Sequence, residues 1–293
     1  MNVKMIYINT HKYDYRLTRI CVASVRYWYP DIDIFLIKDM SNGKFSTRLI
    51  EKKWKLQVLH SGRTKFGWGY GKLETLFVPG SGSFLVIDAD TVLTGPVLSA
   101  SENTGTDFLV DEEVQPREKF CILYYDLARI HEADDTFVYP GYSFNTGQWF
   151  GTKGIIKRED FAKIINWTEP PVSKFPKIIF QGEQGHFNFL VHQKEQKKQI
   201  TVTRKKIMIW PDGTNADFIL LDRIRNKETA YPFIIHWAGM KFKRLGDYPR
   251  ADILKFYRSF YESRMSFTER IKEQIYLWYL PFQKRVRLKF SNK

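Results

Sequence analysis

The sequence predicts an α/β protein in which helices cover the faces of a parallel sheet. Stretches of strand character alternate with stretches of helical spacing up to residue 60, and this alternation is typical of parallel sheets. A short apolar run at residues 83–87 predicts a further strand that is buried on both faces. Hydrophobic residues form 43% of the 293-residue chain, which is enough for a substantial core.

The first elements follow from hydrophobic periodicity. Residues 3–8 alternate as a strand does, and residues 17–28 carry apolar side chains at helical spacing. Residues 32–37 predict a second strand, residues 47–55 a helix and residues 57–60 a third strand. This half therefore resembles a nucleotide-binding α/β unit in its order of elements.

The remaining elements have a more mixed pattern. Residues 72–77 and 160–167 predict short helices, and another helix opens at residues 181–185. Residues 207–210 and 233–235 predict two late strands. The second of these runs directly into a histidine, His236.

Residues 242–293 differ in character from the rest. Lysine and arginine outnumber acidic residues roughly three to one there, with aromatic residues between them. One face of a helix that ends at Pro281 collects four large side chains, Ile271, Ile275, Trp278 and Tyr279. We expect this helix to pack on the preceding domain. The basic residues that follow are predicted to lie either in water or in peripheral contact with an anionic membrane.

Composition limits the class of protein. The formal net charge of +14 attracts anions, whether nucleic acid, anionic lipid or phosphorylated ligands, and does not choose among them. Cys21 and Cys121 form neither a metal-ligand spacing nor a disulfide framework. The first residues lack the pattern of a signal peptide, and no run approaches the ~20 apolar residues of a membrane-spanning helix. We therefore expect a soluble, cytoplasmic protein.

Two carboxylates directly follow the predicted strand at residues 83–87. Asp88 and Asp90 are two positions apart, so strand geometry directs both side chains to one side. In open α/β sheets, ligands bind at this carboxyl edge. Two carboxylates held so close repel each other unless a cation binds between them. A hard divalent ion that also binds phosphate oxygens is the expected occupant. The alternative is an Asp-rich turn in which Asp88 caps the next segment.

Lys72 has an unusual place at the start of a predicted helix. A glycine-aromatic loop, residues 67–71, leads into it. The helix dipole opposes a cation at this end, so the side chain either points at solvent or holds an anion there. The sequence contains neither the dinucleotide-binding nor the P-loop glycine fingerprint, which argues against those two nucleotide-binding classes.

Three further polar motifs follow the carboxylate pair in order. They are Phe144-Asn145-Thr146-Gly147, Gly182-Glu183-Gln184-Gly185 and His236-Trp237-Ala238-Gly239. Together with residues 86–90, they resemble the motifs of the GT-A glycosyltransferases, most closely the retaining glycogenin-like and bacterial galactosyltransferase group, glycosyltransferase family 8. The resemblance covers residues 3–243. It implies a GT-A (Rossmann-like) mixed sheet flanked by helices, with a catalytic domain over 1–241. The last fifty residues lie outside the resemblance, and their composition predicts a basic, aromatic C-terminal helical extension over 242–293 that packs on this domain or on a membrane surface.

The resemblance implies a metal site as well. Asp88, Ala89 and Asp90 are similar to the family's L-D-A-D segment, whose aspartates hold Mn²⁺ (or Mg²⁺) and, through it, the donor diphosphate. His236 and Gly239 match the family's H-x-x-G, whose histidine supplies a further ligand. A neutral imidazole beside two carboxylates suits Mn²⁺.

The same resemblance implies residues for the nucleotide. The donor-binding positions are Asn9, Thr10 and Tyr15 for the uracil and ribose, Lys72 for the nucleotide sugar and Lys241 for the diphosphate. The family's H-x-x-G-x-x-K spacing would put its lysine on Phe242. Lysines stand instead at positions 241 and 243, so the sequence leaves open which of them takes that role.

Sugar and acceptor contacts are implied in the same way. The positions are Asn145, Thr146, Gln148 and His186. Glu183 and Gln184 resemble the family's D-Q pair near the anomeric carbon and are the catalytic candidates. Glu183 replaces the family's aspartate and reaches one methylene further.

The implied activity is transfer of a sugar from a nucleotide donor, UDP in the first place, to a glycan or another hydroxyl acceptor. The residues offer no strong nucleophile beyond Glu183 or Gln184. We therefore expect retention, through a front-face attack assisted by the leaving phosphate. An inverting enzyme would need Glu183, Asp111 or another carboxylate as general base. The alternative from another class is a basic nucleic-acid-binding protein without catalysis. No sequence motif supports it, and we do not expect nucleic acid as a partner.

Overall fold

The computed structural model describes residues 1–67, 69–113, 116–180, 182–240 and 243–290, with side chains described as far as residue 280. The helices are α1 (Tyr15–Trp28), α2 (Arg48–Trp54), α3 (Arg117–Leu123), α4 (Glu183–Gln196), α5 (Leu221–Arg225), α6 (Ala251–Ser263) and α7 (Phe267–Phe290). The strands are β1 (Val3–His11), β2 (Asp33–Asp39), β3 (Gln57–Val58), β4 (Ser83–Asp88), β5 (Thr91–Leu93), β6 (Phe108–Asp111), β7 (Gln148–Thr152), β8 (Ile165–Asn166), β9 (Val172–Ser173), β10 (Val202–Lys205), β11 (Met208–Ile209) and β12 (Ile234–His236). Short 3₁₀ helices include Lys12–Asp14, Tyr70–Phe77 and Arg158–Phe161.

A mixed sheet flanked by helices forms the centre of the molecule. Its strand order in the described part of the chain is β10-β6-β7-β4-β1-β2-β3. β1 pairs in parallel with β2 and β4, whereas β7 runs antiparallel between β4 and β6. A smaller sheet, β11-β12-β5, sets His236 opposite Thr91, just beyond the end of β4. The predicted fold class is confirmed.

β4 lies at the middle of the sheet with both faces covered. Leu85 and Ile87 belong to the cluster that includes α1 and α6, and Phe84 and Val86 belong to the cluster that includes α4. Because both faces of this strand are apolar, its polar residues can only follow at its end. This pattern fixes Asp88 at the carboxyl edge of the sheet.

Most predicted elements lie where the sequence places them, and the exceptions have local causes. Residues 160–167 do not form the predicted helix, because a 3₁₀ helix, Arg158–Phe161, is followed by β8, which pairs with β9. The residues predicted as a helix at 72–77 also form a 3₁₀ helix. α6 was not predicted from the sequence. α7 continues through Pro281, since a proline can be accommodated in a long helix at the cost of a local disturbance.

The first part of the C-terminal segment shares the core of the preceding residues. Tyr257 is fully buried, and its hydroxyl donates to the carbonyl of Leu93 at 2.6 Å. The indole Nε1 of Trp237 donates to the carbonyl of Pro249 at 2.8 Å. The division of the chain at residue 241 stays a prediction.

α7 contacts the preceding part of the molecule through the face that carries Glu273. Glu273 is only 2% exposed, because its carboxylate accepts hydrogen bonds from Tyr15, Tyr261 and Arg19. The four large side chains predicted to line one face, Ile271, Ile275, Trp278 and Tyr279, are all exposed instead. Among the residues that the structure describes, no helix combines the length and apolar character needed to cross a bilayer.

Candidate active site

A cleft of about 590 Å³ opens at the carboxyl edge of the main sheet. Its lining includes the predicted residues Asn9, Lys72, Asp88, Asp90 and Glu183. It also includes residues that the sequence analysis missed, namely His11, Asp14, Asp39, Ser41 and Asn42. Their positions at and just beyond the ends of β1 and β2 are the signal that could have identified them, because parallel strands end at one edge.

The segment with the two aspartates is held by backbone hydrogen bonds on both sides. The N–H of Asp88 donates to the carbonyl of Gly147 at 2.8 Å, and the N–H of Ala89 donates to the carbonyl of Asn9 at 3.0 Å. The N–H of Trp237 donates to the carbonyl of Asp90 at 2.9 Å. These bonds join the ends of β4 and β1, the turn before β7 and the segment after β12. Ala89 itself is buried in the core and contributes through its backbone.

Asp88, Asp90 and His236 form a cluster suited to a metal ion. One ligand atom from each lies within 4.8 Å of the others. The imidazole Nε2 of His236 lies 3.3 Å from a carboxylate oxygen of Asp90. Two carboxylates and an imidazole are a donor set that Mn²⁺ accepts. These residues therefore fit a divalent cation.

The ring of His236 is fixed by its neighbours. Trp210 stacks on it with the ring centroids 5.4 Å apart and an interplanar angle of 18°. On another side lies Gly147, where an added Cβ would come within 2.2 Å of the ring carbon Cε1. Because the ring cannot turn freely between these contacts, its Nε2 stays directed toward Asp90.

Lys72 is buried between two carboxylates rather than exposed. Its ammonium lies 3.0 Å from Asp88, 2.5 Å from Glu183 and 2.9 Å from the carbonyl of Thr146. Burial alone would lower the pKa of this lysine, but the two carboxylates outweigh burial and raise the pKa above its usual value. Lys72 is therefore a fixed positive charge that joins the aspartate segment to the start of α4.

Glu183 is held in place from three directions. Its carboxylate is paired with Lys72 and accepts a hydrogen bond from the hydroxyl of Thr146 at 2.7 Å. The third neighbour is the backbone of Gly69, where a Cβ would lie 2.0 Å from the Oε2 of Glu183. Gly69 also has φ +81°, which favours glycine. The approach of this carboxylate therefore depends on glycine at position 69.

Side chains of α4, including Gln184, form hydrogen bonds with the turn that precedes β7. The Oε1 of Gln184 accepts a hydrogen bond from the backbone N–H of Thr146 at 3.3 Å. Asn188, one turn further along α4, binds both the N–H and the carbonyl of Phe144 at 3.0 Å. Asn145 accepts from the N–H of Gly147 at 2.7 Å. Thr146 thus contacts both catalytic candidates, Glu183 and Gln184.

Two residues predicted to bind the nucleotide, Thr10 and Tyr15, are bonded to other protein side chains. The Thr10 hydroxyl is buried and bonded to the hydroxyl of Thr18 at 2.6 Å. The Tyr15 hydroxyl donates to Glu273 at 3.2 Å, within the contact between α1 and α7. Gly239 has φ +77° in the turn after His236, and Lys241 lies outside the described residues. The nucleotide-binding roles of Thr10 and Tyr15 stay predictions, and their side chains offer no exposed surface for a ligand.

Two residues predicted to contact the sugar or acceptor, His186 and Gln148, and the alternative general base, Asp111, are buried. His186 is bonded to the hydroxyl of Ser173 and the carbonyl of Gly182, and burial lowers its pKa to about 4. Gln148 is fully buried. Asp111, the alternative general base, is fully buried, and its Oδ1 accepts from two backbone N–H groups, those of Ile207 and Met208. Burial therefore favours a structural role for these side chains over direct contact with a ligand.

Comparisons with known proteins agree with the architecture. No protein-family model and no curated protein sequence matches this chain. Solved structures do match. The galactosyltransferase LgtC, in complex with donor and acceptor sugar analogs, has a TM-score of 0.57 at 12% identity, over 89% of this chain and 96% of that one. The bifunctional glycosyltransferase WbbM has a TM-score of 0.54 at 13% identity, over 90% of this chain.

A third similar structure is the apo form of the glycosyltransferase GlyE of Streptococcus pneumoniae, with a TM-score of 0.51 at 14% identity over 94% of this chain. The match covers 63% of GlyE and 52% of WbbM, so this chain corresponds to part of each. At these identities the likeness establishes a shared fold. That fold is the GT-A-type mixed sheet expected from the motifs.

Proposed function

We propose that this chain is a metal-dependent glycosyltransferase that moves a sugar from a nucleotide donor to a hydroxyl acceptor. The observation that carries the proposal is the cluster of Asp88, Asp90 and His236 beside the ion pair of Lys72 and Glu183. The cluster lies at the carboxyl edge of a fold that this chain shares with solved glycosyltransferases. The structural match to LgtC, which was solved with donor and acceptor sugar analogs, supports this assignment.

The donor proposed is a UDP-sugar. A cleft of about 590 Å³ is within the size range of small-molecule sites. Asn9 lines it at the end of β1, and its side-chain amide reaches Asp88 at 3.4 Å. We place the uracil and ribose at this end of the cleft and the sugar toward Glu183. This orientation puts the diphosphate beside Asp88 and Asp90.

Mn²⁺ is the proposed ion, with Mg²⁺ as the second choice. When bound, a divalent cation supplies positive charge for the diphosphate that leaves the sugar. Asp88, Asp90 and His236 would hold it. Lys72 adds a fixed cation on the same side of the cleft, with its charge already oriented before the donor binds.

We propose retention at the anomeric carbon. The bond from that carbon to the phosphate oxygen breaks, the acceptor hydroxyl forms the new bond on the same face, and its proton passes to the leaving phosphate. Glu183 is engaged by Lys72 and Thr146, so its carboxylate is better placed to orient the site than to attack. Gln184, on the next position of α4, is the proposed contact for the sugar. The active site of LgtC also contains a glutamine, which has been changed to glutamate in another structure of that enzyme.

UDP release from a panel of UDP-sugars with Mn²⁺ tests the proposal. We expect release from one donor, with loss of release in EDTA and in Asp88→Asn. The matched control is Asp217→Asn, which changes an exposed aspartate outside the cleft and should leave release unchanged. Release that persists in EDTA and in Asp88→Asn would overturn metal dependence. No release from any UDP-sugar would overturn the donor assignment.

The stereochemistry and the metal ligands need their own measurements. Proton NMR of the first-formed product should show the anomer of the donor, and the opposite anomer would establish inversion. Isothermal titration with Mn²⁺ should show at least about tenfold weaker binding in His236→Ala than in the wild type. His131→Ala replaces an exposed histidine away from the cluster and serves as the control. Equal Mn²⁺ affinity in both variants would remove His236 from the ligand set. The peripheral membrane contact predicted for residues 242–293 is a separate prediction.

A further inference from the structure

The outward face of α7 presents an apolar stripe. Its members recur three or four residues apart along the helix and so share one side. Their exposed fractions range from 43% for Ile271 to 76% for Phe267. The stripe consists of Phe267, Ile271, Ile275, Trp278 and Tyr279. Exposed side chains of this size, collected on one face, are typical of an interaction surface.

The opposite face of α7 is firmly attached to the molecule. Leu280 is buried, and Glu273 is bonded to Arg19 and to two tyrosine hydroxyls. Glu269, nearer the start of the helix, pairs with Lys53 at 2.9 Å. The stripe is therefore presented to the outside by a helix whose rotation is fixed by its buried side.

The charges of α7 are divided between the same two faces. Both acidic residues of the helix, Glu269 and Glu273, are engaged with cations of the preceding part of the chain. Arg270 and Lys272, which flank Ile271 in sequence, are exposed. Residues 281–293 add five lysines and arginines and no acidic residue. The sequence from α7 onward is therefore net positive, and Arg270 and Lys272 place exposed positive charge beside the apolar stripe.

α7 also lies close to the cleft. The hydroxyl of Tyr276 accepts a hydrogen bond from the backbone N–H of Ser46, in the segment that follows β2. Tyr15, which contacts Glu273, directly follows the 3₁₀ helix Lys12–Asp14, whose last residue lines the cleft. Both contacts are on the side of the sheet where β1 and β2 end. The stripe is thus carried by an element beside the carboxyl edge.

We propose that the apolar stripe of α7 docks on an anionic lipid bilayer, with the helix lying in the plane of the interface. Aromatic and aliphatic side chains enter the boundary between headgroups and acyl chains, while neighbouring lysines and arginines bind anionic headgroups. Trp278 and Tyr279 suit this boundary, because their rings are apolar with one polar group. Docking stands apart from the proposed enzyme activity and is measured without donor or metal.

A second copy of the chain is the competing occupant, and charge disfavours it. Pairing two stripes would bring the exposed Arg270 and Lys272 of both copies to one interface. Like charges brought together in this way oppose association. An anionic surface instead gains from the same charges.

Co-sedimentation of the full chain with vesicles tests the proposal. The vesicles are phosphatidylcholine with and without added phosphatidylglycerol. We expect binding to the anionic vesicles and about tenfold weaker binding for Ile275→Glu. Ile122→Glu is the matched control, because it makes the same change of residue and charge at a helical position that is 71% exposed on α3. It should bind as the wild type does.

Two further measurements separate the apolar contribution to binding from the electrostatic one, and membrane binding from dimerisation. The double variant Ile271→Gln and Ile275→Gln removes apolar surface without changing charge, and it should also bind more weakly. Equal binding by this variant and the wild type, equal losses in Ile275→Glu and Ile122→Glu, or no binding of the wild type to anionic vesicles would each overturn the proposal. So would a wild-type dimer in sedimentation analysis that Ile275→Glu converts to monomer.

Discussion

The ammonium of Lys72 lies 2.5 Å from a carboxylate oxygen of Glu183. These residues are far apart in the chain, and their contact joins the 3₁₀ helix at Tyr70–Phe77 to the first turn of α4. Lys72 also reaches Asp88 at 3.0 Å, so one buried cation is paired with two carboxylates at the floor of the cleft. The arrangement holds a proposed metal ligand and a proposed catalytic residue at a fixed separation.

Replacing this lysine should therefore affect both stability and turnover. Lys72→Gln leaves Asp88 and Glu183 without their common cation in a buried setting, and breaking a buried ion pair costs about 3 kcal/mol. We expect the free energy of unfolding in urea to fall by about that amount. Turnover of the donor should fall at least roughly 100-fold, because a preorganised charge is lost.

The control for this variant is Lys53→Gln. Its partner, Glu269, is partly exposed, and such pairs contribute at most about 1 kcal/mol. Similar losses of stability in Lys72→Gln and Lys53→Gln would show that the pair with Glu183 is screened by solvent. Unchanged donor turnover in Lys72→Gln would remove this lysine from the reaction.

How much of the site the sequence predicts depends on how local its determinants are. Asp88 and Asp90 were found because a buried strand and the two residues after it are one continuous stretch. The sequence did not predict the contacts of Lys72, because the Thr146 carbonyl and Glu183 come from segments that are distant in sequence. The nucleotide contact that the resemblance implies for Tyr15 stays a prediction, and the sequence did not show that its hydroxyl contacts Glu273, which lies 258 positions further along the chain.

The same limit applies to the fold. Periodicity identified four of the five residues in the apolar stripe of α7, but it could not show which face of the helix is buried. That choice depends on Glu273, whose carboxylate is drawn inward by Arg19 and two tyrosine hydroxyls. A buried ionised side chain with several partners reverses the simple rule that the apolar face packs inward.

Two buried histidines predict how stability depends on pH. Burial lowers the pKa of His186 to about 4 and that of His192 to about 3, from an ordinary value of 6.5. Below about pH 6.5 these two histidines bind protons in the unfolded chain, whereas in the folded chain they stay neutral until the pH approaches their lowered pKa values. The free energy of unfolding should therefore fall as the pH falls from 6.5 through about 4 and toward 3.

The contribution of His192 can be isolated by substitution. His192→Gln is neutral at every pH, so its urea midpoint should fall less steeply with acid than that of the wild type. His131→Gln changes an exposed histidine and should keep the wild-type dependence. A wild-type dependence in His192→Gln would show that acid destabilisation comes from other groups.

Two glycines provide a matched test of how Glu183 is positioned. Gly69 and Gly62 have similar backbone angles, with φ +81° and +76°. Alanine at either position carries a left-handed strain of about 1 kcal/mol. They differ in surroundings, because a Cβ at Gly69 would lie 2.0 Å from Glu183, whereas one at Gly62 would meet nothing within 4 Å. Gly69→Ala should therefore displace the Glu183 carboxylate, and Gly62→Ala should not.

We expect Gly69→Ala to lose more stability than Gly62→Ala in urea unfolding, because displacing Glu183 weakens its buried pair with Lys72, and to lose more turnover as well. Donor turnover by Gly69→Ala should be roughly 100-fold below that of Gly62→Ala, since a misplacement of about 1 Å at the reacting centre has an effect of that size. Mn²⁺ affinity should be the same in both, because the three atoms nearest to an added Cβ at Gly69 all belong to Glu183 and none to Asp88, Asp90 or His236. Equal turnover in the two variants would mean that the position of Glu183 does not control the reaction. A loss of Mn²⁺ affinity confined to Gly69→Ala would instead place the effect at the metal cluster.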